Sequence, residues 1–343
     1  MTNTMRAARY HGPQQPLRVE EVPIPPPGPG EALVRVRAAG LCHTELHFLS
    51  GLLNLGVTPI ILGHEMAGEV AEVGAQVSGV RPGDRVVVGY YVGCGSCHWC
   101  RTGHENLCDH IVAELGFISD GGLAEYVRAP ARNLVPLPDG LGFDEAATLG
   151  CSATTAVHAA RGIAGVQAGE TVVVYGVGGV GFALIQYCKL AGCRVVAVGR
   201  NEAKLKVARE LGADATISAR DANVADEVRS LTSDQGAEVV FELVGTAETM
   251  PQAFQSLRKR GKLVFIGYSE DTFSVHPIML VINEAVVTAS VGNSLDELAH
   301  AVELAGRGQI KATIDRIVRL DDVNETLEAL KQGEVIGRAV VRP

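Results

Sequence analysis

The sequence predicts a two-domain α/β protein in which a doubly wound parallel sheet is inserted into a β-rich domain. The stretch TVVVYGVGGVG, from Thr171 to Gly181, leads from β-prone apolar residues through a glycine-rich turn into a helical stretch, Phe182 to Ala191. Short β-like runs precede residue 150, whereas strands and helices alternate after it. A length of 343 residues also exceeds the usual size of one hydrophobic core.

The glycine turn has the spacing of a dinucleotide-binding site. In a GxGxxG turn, Gly176 permits the reversal, Gly178 lets a pyrophosphate approach the main chain, and Gly181 lets the helix pack closely on the strand. Gly179 and Val180 lie within the turn. The N–H groups that begin the helix suit an anion. Because such turns occur in many α/β proteins, the motif needs support from the rest of the chain.

The composition is that of an ordinary globular protein, with 47% hydrophobic and 20% charged residues. A net charge of −9 argues against a nucleic-acid partner, which would need a basic face. Residues 1 to 10 contain Arg6 and Arg9 but no apolar signal-peptide core, so we expect a cytoplasmic protein. Its eight cysteines are then not expected to form disulfides.

A membrane span is the alternative interpretation of the uncharged stretch Thr171 to Cys188, which is about long enough to cross a bilayer. Its glycine cluster would break such a helix near the middle, and several similar strand–helix units follow it. We therefore expect no membrane association.

The first 150 residues are predicted to form a small, irregular, mostly β domain. Leu33 to Arg37 alternates with the period of a half-buried strand, and Pro25 to Pro29 forms a stiff connector between strands. Turn signals such as RPGD separate the runs. The strands expected here are Leu17 to Val22, Ala32 to Ala38, Ala67 to Val73, Arg85 to Val88, Leu123 to Val127 and Leu134 to Pro136.

After residue 150 we predict a parallel sheet, with Asn201 capping a helix from Glu202 to Leu211. The tail is expected to return to the first domain with helices Leu295 to Ala305 and Val323 to Lys331. We therefore expect a catalytic domain of residues 1–152 and 291–343 around a nucleotide-binding domain of residues 153–290. The predicted sheet strands are 172–175, 194–198, 215–217, 238–241, 262–266 and 285–289, followed in the tail by a last strand, Arg338 to Val341.

Four cysteines predict a structural zinc site. Cys94, Cys97, Cys100 and Cys108 follow the pattern C-x2-C-x2-C-x7-C, and four thiolates can close a tetrahedral shell that leaves no position for substrate. An iron–sulfur cluster also uses four cysteines, but its common spacings differ. Because the cysteines already satisfy the metal, we interpret the neighbouring histidines as solvated loop residues; these are His98, His104 and His110.

A second set of ligand-type residues is dispersed along the chain. Cys42 lies in GLCHTELH, His64 in LGHEMAG and Cys151 in LGCSATTA. Each alone could be a structural residue, since a buried cysteine is a common small hydrophobe. Together, two cysteines and a histidine make the three-ligand shell of a catalytic zinc with a fourth position open. Such a metal acidifies a bound hydroxyl and polarises a carbonyl.

These motifs, in this order and over essentially the whole length, resemble those of the zinc-dependent medium-chain alcohol dehydrogenases. The motifs that carry the resemblance are GLCHTELH, LGHEMAGEV, GDRVVV, the four-cysteine lobe and YGVGGVG. The resemblance implies a GroES-like catalytic domain with an inserted Rossmann domain. It also implies that Cys42, His64 and Cys151 hold the catalytic zinc, with Glu65 beside the metal or able to ligate it.

The family resemblance further implies a proton relay and contacts with a nicotinamide cofactor. Thr44 would accept the substrate hydroxyl proton and pass it through the cofactor ribose towards His47, although a polar loop pair would look the same in sequence. His43 and Arg338 match residues that touch the cofactor pyrophosphate. The residues that match the nicotinamide-contacting positions are Thr155 and Val180. Cys188 and Cys193 match no metal position, and we interpret both as core cysteines.

Substrate and assembly follow from the resemblance only in outline. Leu53 and Tyr90 match positions of the substrate pocket, and three more aromatic residues could extend its apolar wall; these are Phe48, Tyr91 and Tyr268. An apolar wall favours a medium-chain or aromatic alcohol, primary or secondary, over ethanol. A homotetramer is expected first and a homodimer next. The alternatives are a zinc-free quinone or enone reductase and a non-catalytic protein that keeps the nucleotide fold.

The end of the second strand of the parallel sheet favours NADP over NAD. An acidic residue is expected there in an NAD enzyme, but the strand ends in Gly199 and Arg200 instead. Gly199 would make room for a 2′-phosphate, and the guanidinium of Arg200 suits one. Lys204, about one turn further on, could also bind the 2′-phosphate. If Arg200 instead points to solvent or stacks on adenine, NAD remains usable.

Overall fold

The computed structural model describes residues 3–220 and 223–343, which form two compact units. The first unit contains the chain up to Thr154 and the segment Asn293–Pro343, and the second is Thr155–Gly292. The parallel sheet of the second unit is thus inserted between two segments of the first, and the predicted fold class is confirmed.

Short strands dominate the N-terminal segment of the first unit. The strands are β1 (Thr4–Tyr10), β2 (Arg18–Pro23), β3 (Glu31–Leu41), β4 (Ile60–Ile61), β5 (Glu65–Val73), β6 (Arg85–Val88), β7 (Tyr91–Val92), β8 (Ala113–Glu114), β9 (Tyr126–Pro130) and β10 (Leu134–Pro136). The helices are α1 (His43–Ser50), α2 (His98–Arg101) and α3 (Phe143–Thr148). Short 3₁₀ turns lie at Glu105–Leu107 and Ala131–Asn133, and a π-helical turn lies at Leu149–Ala153.

Strands and helices alternate through the second unit. Its strands are β11 (Thr171–Tyr175), β12 (Arg194–Gly199), β13 (Ala215–Ser218), β14 (Ala237–Glu242), β15 (Leu257–Phe265) and β16 (Val286–Ala289). Its helices are α4 (Thr154–Val157), α5 (Gly179–Leu190), α6 (Glu202–Glu210), α7 (Val224–Leu231), α8 (Thr249–Gln255) and α9 (Pro277–Asn283), with a π-helical turn at His158–Ala164.

The C-terminal segment returns to the first unit and completes its large sheet. It consists of α10 (Leu295–Gly306), β17 (Ile314–Arg319), a 3₁₀ turn (Leu320–Asp322), α11 (Val323–Lys331) and β18 (Arg338–Arg342). The sheet order is β10-β6-β5-β3-β18-β17, and β9 pairs with β3. β18 runs antiparallel to β3 with Ala339 opposite Leu41, so the last strand lies in the middle of the sheet. β17 is an edge strand that the sequence analysis did not predict.

One predicted strand begins later than expected. Leu123 to Val127 was the predicted range, but β9 begins at Tyr126. The reason is that the two residues before Glu125 pair with β1, which belongs to another sheet. The Leu123 carbonyl accepts a hydrogen bond from the Ala8 amide at 2.8 Å, and Ala124 forms a β-bridge with Ala7. A β-like run in the sequence therefore contributes to two sheets.

The parallel sheet of the second unit has the order β13-β12-β11-β14-β15-β16, and every predicted strand of this sheet is present. The predicted cap of α6 is confirmed, because the Asn201 side chain accepts hydrogen bonds from the amides of Ala203 and Lys204. Helix α6 ends at Glu210, one residue before the predicted end. Cys188 and Cys193 are both buried, as predicted for core cysteines.

The alternative of a membrane span finds no support in the helices. Within residues 3–220 and 223–343, no helix is both long enough and apolar enough to cross a bilayer. The uncharged stretch from Thr171 is divided between β11, the glycine turn and α5.

Candidate active site

The structure brings Cys42, His64, Glu65 and Cys151 together in the first unit. One ligand atom from each lies within 4.8 Å of the others, and all four side chains are buried. These residues come from three distant parts of the sequence. A set with two cysteines and one histidine has the donors of a catalytic zinc, so these residues fit the metal that the motifs predict.

The large sheet places this cluster at one end of three adjacent strands. β5 and β18 both run antiparallel to the central strand β3, so both begin where β3 ends. Cys42 follows the last residue of β3, while Glu65 begins β5 and Arg338 begins β18. Gly40 of β3 lies opposite Glu65, and a Cβ atom at Gly40 would stand 2.2 Å from a Glu65 carboxylate oxygen. The carboxylate therefore occupies space that only glycine leaves free.

Cys151 lies at the centre of the π-helical turn Leu149–Ala153. A π turn widens the helix by one residue per hydrogen bond, and such turns are frequent at functional sites. All five residues are buried, and the Cys151 carbonyl accepts a hydrogen bond from the Thr154 hydroxyl at 3.1 Å. The turn carries the thiol to a side of the helix that regular α geometry would not give it. The sequence analysis did not predict this feature.

Glu45 is a functional residue that the sequence analysis missed. It is 1% exposed, and one carboxylate oxygen accepts a hydrogen bond from the Cys42 amide at 2.8 Å. The other oxygen lies 3.2 Å from His64 Nδ1. The two groups form an ion pair, but their geometry is not that of a hydrogen bond. A carboxylate on one ring nitrogen fixes a histidine ligand and leaves the other nitrogen for the metal. The capping-box pattern C-H-T-E was the available signal, since Glu45 is the third residue after the helix cap.

Arg338 lies beside Glu65 and Cys42 in the metal-site cluster. We expected it to reach cofactor phosphates, but it is 4% exposed, and its Nε donates to the two carboxylate oxygens of Glu65 at 3.0 and 3.2 Å. Its Nη2 lies 3.7 Å from Cys42 Sγ. A role toward phosphate stays a prediction. Through these contacts the guanidinium of Arg338 places a positive charge beside the Glu65 carboxylate and the Cys42 thiol.

The close packing of these ionisable groups shifts the pKa values of all four predicted metal-site residues. The hydrogen bond with Cys151 lowers the pKa of the Cys42 thiol well below its usual range and raises that of Cys151. Burial opposes protonation of His64, but Glu45 and Cys42 outweigh it and raise its pKa. Burial also raises the pKa of Glu65 to about 7, against the attraction of Arg338. A metal bound here would displace protons from the cysteine and histidine ligands.

The predicted structural-zinc cysteines also converge. The sulfurs of Cys94, Cys97, Cys100 and Cys108 lie within 4.8 Å of one another, and all four residues are partly exposed. Backbone amides point at these sulfurs, as in Cys94 N to Cys108 Sγ at 3.2 Å and Cys100 N to Cys97 Sγ at 3.5 Å. The three loop histidines are exposed, and among the described residues none joins a candidate metal cluster.

In the second unit the glycine turn has the geometry of an anion site. Gly176 has a φ of 117°, which other residues rarely adopt. A Cβ at Gly181 would lie 2.1 Å from the Gly176 carbonyl oxygen, so the helix packs directly on the turn. Nothing lies within 4 Å of a Cβ built on Gly178, which is the N-cap residue of α5 and offers no side chain to cap the helix. The first amides of α5 are thus available to a phosphate.

Two comparisons decide the family. Residues 28–139 match the family described as "Alcohol dehydrogenase GroES-like domain" and residues 179–335 match "Zinc-binding dehydrogenase". An alcohol dehydrogenase of Geobacillus stearothermophilus is 34% identical over 98% of this chain and 99% of its own length. The chain belongs to the zinc-type medium-chain dehydrogenases/reductases. The predicted family is therefore confirmed.

Two further relatives support this membership. An "NAD-dependent alcohol dehydrogenase" of Sulfurisphaera tokodaii is 35% identical, covering 99% of this chain and all of its own. The solved structure of an alcohol dehydrogenase from the hyperthermophilic archaeon Aeropyrum pernix superposes with a TM-score of 0.94 at 34% identity. That match covers 98% of this chain and 100% of the other.

The relay residues predicted from this dehydrogenase family lie on α1. Thr44 is in its first turn, and its hydroxyl lies 3.7 Å from Cys42 Sγ. His47 follows one turn later and is half-buried, and burial lowers its pKa. His43, the first helical residue, is exposed. Because Cys42 caps this helix, the predicted metal ligand lies next to all three predicted residues.

The predicted cofactor-selecting residues follow β12 in the second unit. β12 ends at Gly199, and Arg200 behind it is exposed. A Cβ at Gly199 would lie 2.5 Å from a Val177 methyl group, so this glycine is needed for packing against the glycine turn. That reason differs from the predicted one, which was space for a phosphate. Lys204 lies half-buried in the first turn of α6.

Two other residues were predicted to contact the nicotinamide. Thr155, the first residue of the second unit, is buried, and Val180 in the first turn of α5 is half-buried. Their contacts with a cofactor remain predictions.

An aromatic wall stands beside the metal-site cluster. Tyr90 is 3% exposed, and its ring lies 5.3 Å from that of His64. Phe117, which the sequence analysis missed, stacks on Tyr90 at 5.6 Å and lies 5.0 Å from His64. Tyr91 packs on Tyr90 at 4.4 Å, and Leu53 is half-buried against the core of the first unit.

Two more residues were predicted to extend the aromatic wall. Phe48 is 2% exposed and packs between the rings of Tyr10 and Phe117, so it belongs to the core of the first unit. Tyr268 belongs to the second unit and is 46% exposed. Their roles in a substrate pocket stay predictions.

The two cysteine clusters are expected to respond differently to substitution. Cys42→Ala removes a ligand from the buried cluster, so we expect loss of one bound zinc and of turnover with little change in Tm. Cys97→Ala opens the four-cysteine shell, whose metal-binding energy stabilises the folded loop, so we expect a clearly lower Tm. Thermal unfolding and zinc content of both variants make the comparison. An equal loss of Tm in both would contradict the assignment of two distinct sites.

Proposed function

We propose that the protein is a zinc-dependent dehydrogenase that interconverts an alcohol with its aldehyde or ketone, using a nicotinamide cofactor. The observation that carries the proposal is the buried cluster of two cysteines and one histidine beside an aromatic wall. Membership of the zinc-type family and the open glycine turn before α5 support the use of a nicotinamide cofactor.

Each residue of the metal-site cluster has a distinct task in this proposal. Zinc held by Cys42, His64 and Cys151 would lower the pKa of the substrate hydroxyl and polarise a substrate carbonyl. Glu45 orients the His64 ring, and Arg338 compensates the negative charge that two cysteines and Glu65 bring into the interior. Because Arg338 holds Glu65 through both carboxylate oxygens, we propose that Glu65 stands beside the metal rather than as a permanent ligand.

The substrate proton leaves along α1 in this proposal. Thr44 lies beside the metal ligand Cys42, where its hydroxyl can accept the proton from an alcohol. His47 is one turn further along the same helix, and its lowered pKa leaves the imidazole neutral at pH 7 and able to accept a proton. The cofactor ribose is the proposed link between these two residues.

Two alternative functions fit the residues less well. A zinc-free quinone or enone reductase would have no use for two complete sets of zinc ligands, and both sets converge in the first unit. A non-catalytic protein with a nucleotide fold would not need Glu45 and Arg338 to be buried around such a cluster. We therefore propose a catalytic zinc in the buried cluster and a structural zinc in the four-cysteine lobe.

Metal content and turnover test the proposed activity together. We expect about two zinc ions per chain, from one open and one closed site, and alcohol-dependent reduction of a nicotinamide cofactor. A panel of primary and secondary alcohols should give its highest kcat/KM with a medium-chain or aromatic substrate, because the stacked rings of Tyr90 and Phe117 lie beside His64 and would contact an apolar substrate. A zinc-free preparation with full activity would refute the mechanism. Ethanol as the best substrate would refute the proposed pocket.

Preference for NADP is proposed from Arg200. β12 ends in Gly199 and Arg200 follows directly, where an acidic residue would suit NAD. The exposed guanidinium of Arg200 suits a 2′-phosphate, whereas a relative is named as NAD-dependent. We expect kcat/KM to be higher with NADP than with NAD. Arg200→Ala should lower it for NADP by about tenfold, the scale of one charge-assisted bond, and leave NAD use nearly unchanged. Arg209→Ala, an arginine on α6 paired with Glu202, is the control. Better use of NAD by the wild type would overturn the preference.

Self-association through the edge of the parallel sheet is proposed for the second unit. β16 is one of the two edge strands of this sheet, and the neighbouring α9 has no buried residue. Ile278, Val281 and Ile282 are 55%, 72% and 59% exposed, and Val286 on β16 is 46% exposed. An apolar patch beside an open strand edge suits a second copy of the same chain. Light scattering should show a tetramer, or failing that a dimer; a monomer would contradict the proposal.

A further inference from the structure

The two cysteine clusters of the first unit are connected by helix α10. One end of this connection is Glu105, which lies in the four-cysteine lobe between Cys100 and Cys108. Glu105 accepts a hydrogen bond from the backbone amide of Leu295, the first residue of α10 and 190 positions away in sequence. A carboxylate at this position also meets the positive end of the helix dipole.

Glu105 completes a cap that α10 only partly makes for itself. Ser294 accepts from the Glu297 amide at 3.3 Å, and Glu297 accepts from the Ser294 amide at 2.8 Å. This capping box leaves the Leu295 amide to be satisfied from outside the helix. The lobe supplies that acceptor, so the start of α10 is fixed partly by the lobe.

The lobe in turn is fixed to the β-rich body of the unit. Arg132 donates to the Gly93 carbonyl at 2.5 Å, just after β7. A Cβ at Gly93 would lie 2.6 Å from Cys100 Sγ and 3.0 Å from Glu105 Cβ, so lobe and strand end are in close contact. The Glu105 carbonyl also accepts from the Cys108 amide at 3.1 Å. Closure of the four-cysteine shell therefore sets the position of Glu105.

The other contacts of α10 lead to the buried metal-site cluster. Leu295 and Leu298 pack on Gly89, where a Cβ would meet their methyl groups at 2.4 and 3.4 Å. Gly89 precedes Tyr90 of the aromatic wall. Further contacts join α10 to the π-helical turn Leu149–Ala153, which carries Cys151. A shift of the helix start would therefore move a metal ligand and its wall together.

We propose that Glu105 is a positioning residue that couples the four-cysteine lobe, through α10, to the Cys151 ligand of the buried metal site. This inference rests on the proposed zinc chemistry of that site. Its consequence is that retention of zinc by Cys42, His64 and Cys151 depends on a carboxylate that touches none of them. A simple helix cap would affect thermal stability without affecting the retention of this particular zinc ion.

The experiment follows zinc release to a chelator from the wild type, Glu105→Ala and Glu105→Gln, with a colorimetric metal indicator. The same variants in a Cys42→Ala background report the lobe zinc alone, so the difference between the two backgrounds gives the buried site. Glu303→Gln is the matched control, because Glu303 lies on the exposed side of α10 and pairs with Arg307 and His300 on the same helix. Tm is recorded for every variant.

We expect Glu105→Ala to release the buried zinc about threefold to tenfold faster than the wild type, somewhat less than the effect of residues that contact a ligand directly. Glu105→Gln keeps an acceptor oxygen without the charge and should be about twofold faster, while Glu303→Gln should match the wild type. A lower Tm with unchanged release from the buried site would overturn the inference. If the alanine variant does not fold, equal rates for Glu105→Gln and Glu303→Gln overturn it.

The outcome is separable from that of the proposed function. Turnover with the alcohol panel is measured on the wild type alone, and its failure would leave the release rates interpretable. A wild-type protein that holds zinc only in the lobe would overturn the positioning role as well.

Discussion

The burial of ionisable groups around Cys42 is the constraint on which the first unit depends. Two cysteines, one histidine, two glutamates and one arginine are each at most 8% exposed there; these are Cys42, Cys151, His64, Glu45, Glu65 and Arg338. With the His64 imidazole neutral, as a metal ligand must be, and with both thiols and both carboxylates ionised, four negative charges face the single positive charge of Arg338. A divalent ion removes two of the remaining three. Because an unpaired buried charge costs several kcal/mol, the cluster is best satisfied with metal bound.

The sheet order explains how one site collects residues from so many parts of the chain. β5 and β18 flank β3 and both run antiparallel to it, so the end of β3 meets the beginnings of the other two strands. The C-terminal strand is therefore needed to bring Arg338 to Glu65. The four-cysteine lobe differs in kind, because its ligands are close in sequence and partly exposed. A short loop that cannot bury a core of its own would gain stability from a bound metal.

The sequence was sufficient where local chemistry decides the structure. Each strand of the parallel sheet, the Asn201 cap and the course of the chain through the glycine turn follow from periodicity and turn residues. The sequence was insufficient where contacts between distant segments determine the local structure. The π turn at Cys151 has no local signal, and Leu123 belongs to a different sheet from Tyr126 because of its partner Ala8.

The site itself shows the same division. The metal ligands were recognisable from their motifs, and the structure brings them together. Glu45 was overlooked although its capping-box spacing was visible, because a cysteine is an unusual helix cap. The partner of Arg338 could not be inferred, since it lies 273 residues away in sequence and meets the arginine only through strand pairing. Gly199 was assigned a role toward the cofactor phosphate, which stays a prediction, whereas its close packing on Val177 was not foreseen.

Anomalous diffraction at the zinc absorption edge tests the central claim most directly, because it locates the metal independently of activity. The account predicts two peaks per chain. One should lie among the four cysteines of the lobe, and the other about 2.3 Å from the sulfurs of Cys42 and Cys151 and about 2.0–2.1 Å from His64 Nε2. A single peak in the lobe, with the buried cluster lacking metal in a protein that turns over alcohols at full rate, would contradict it.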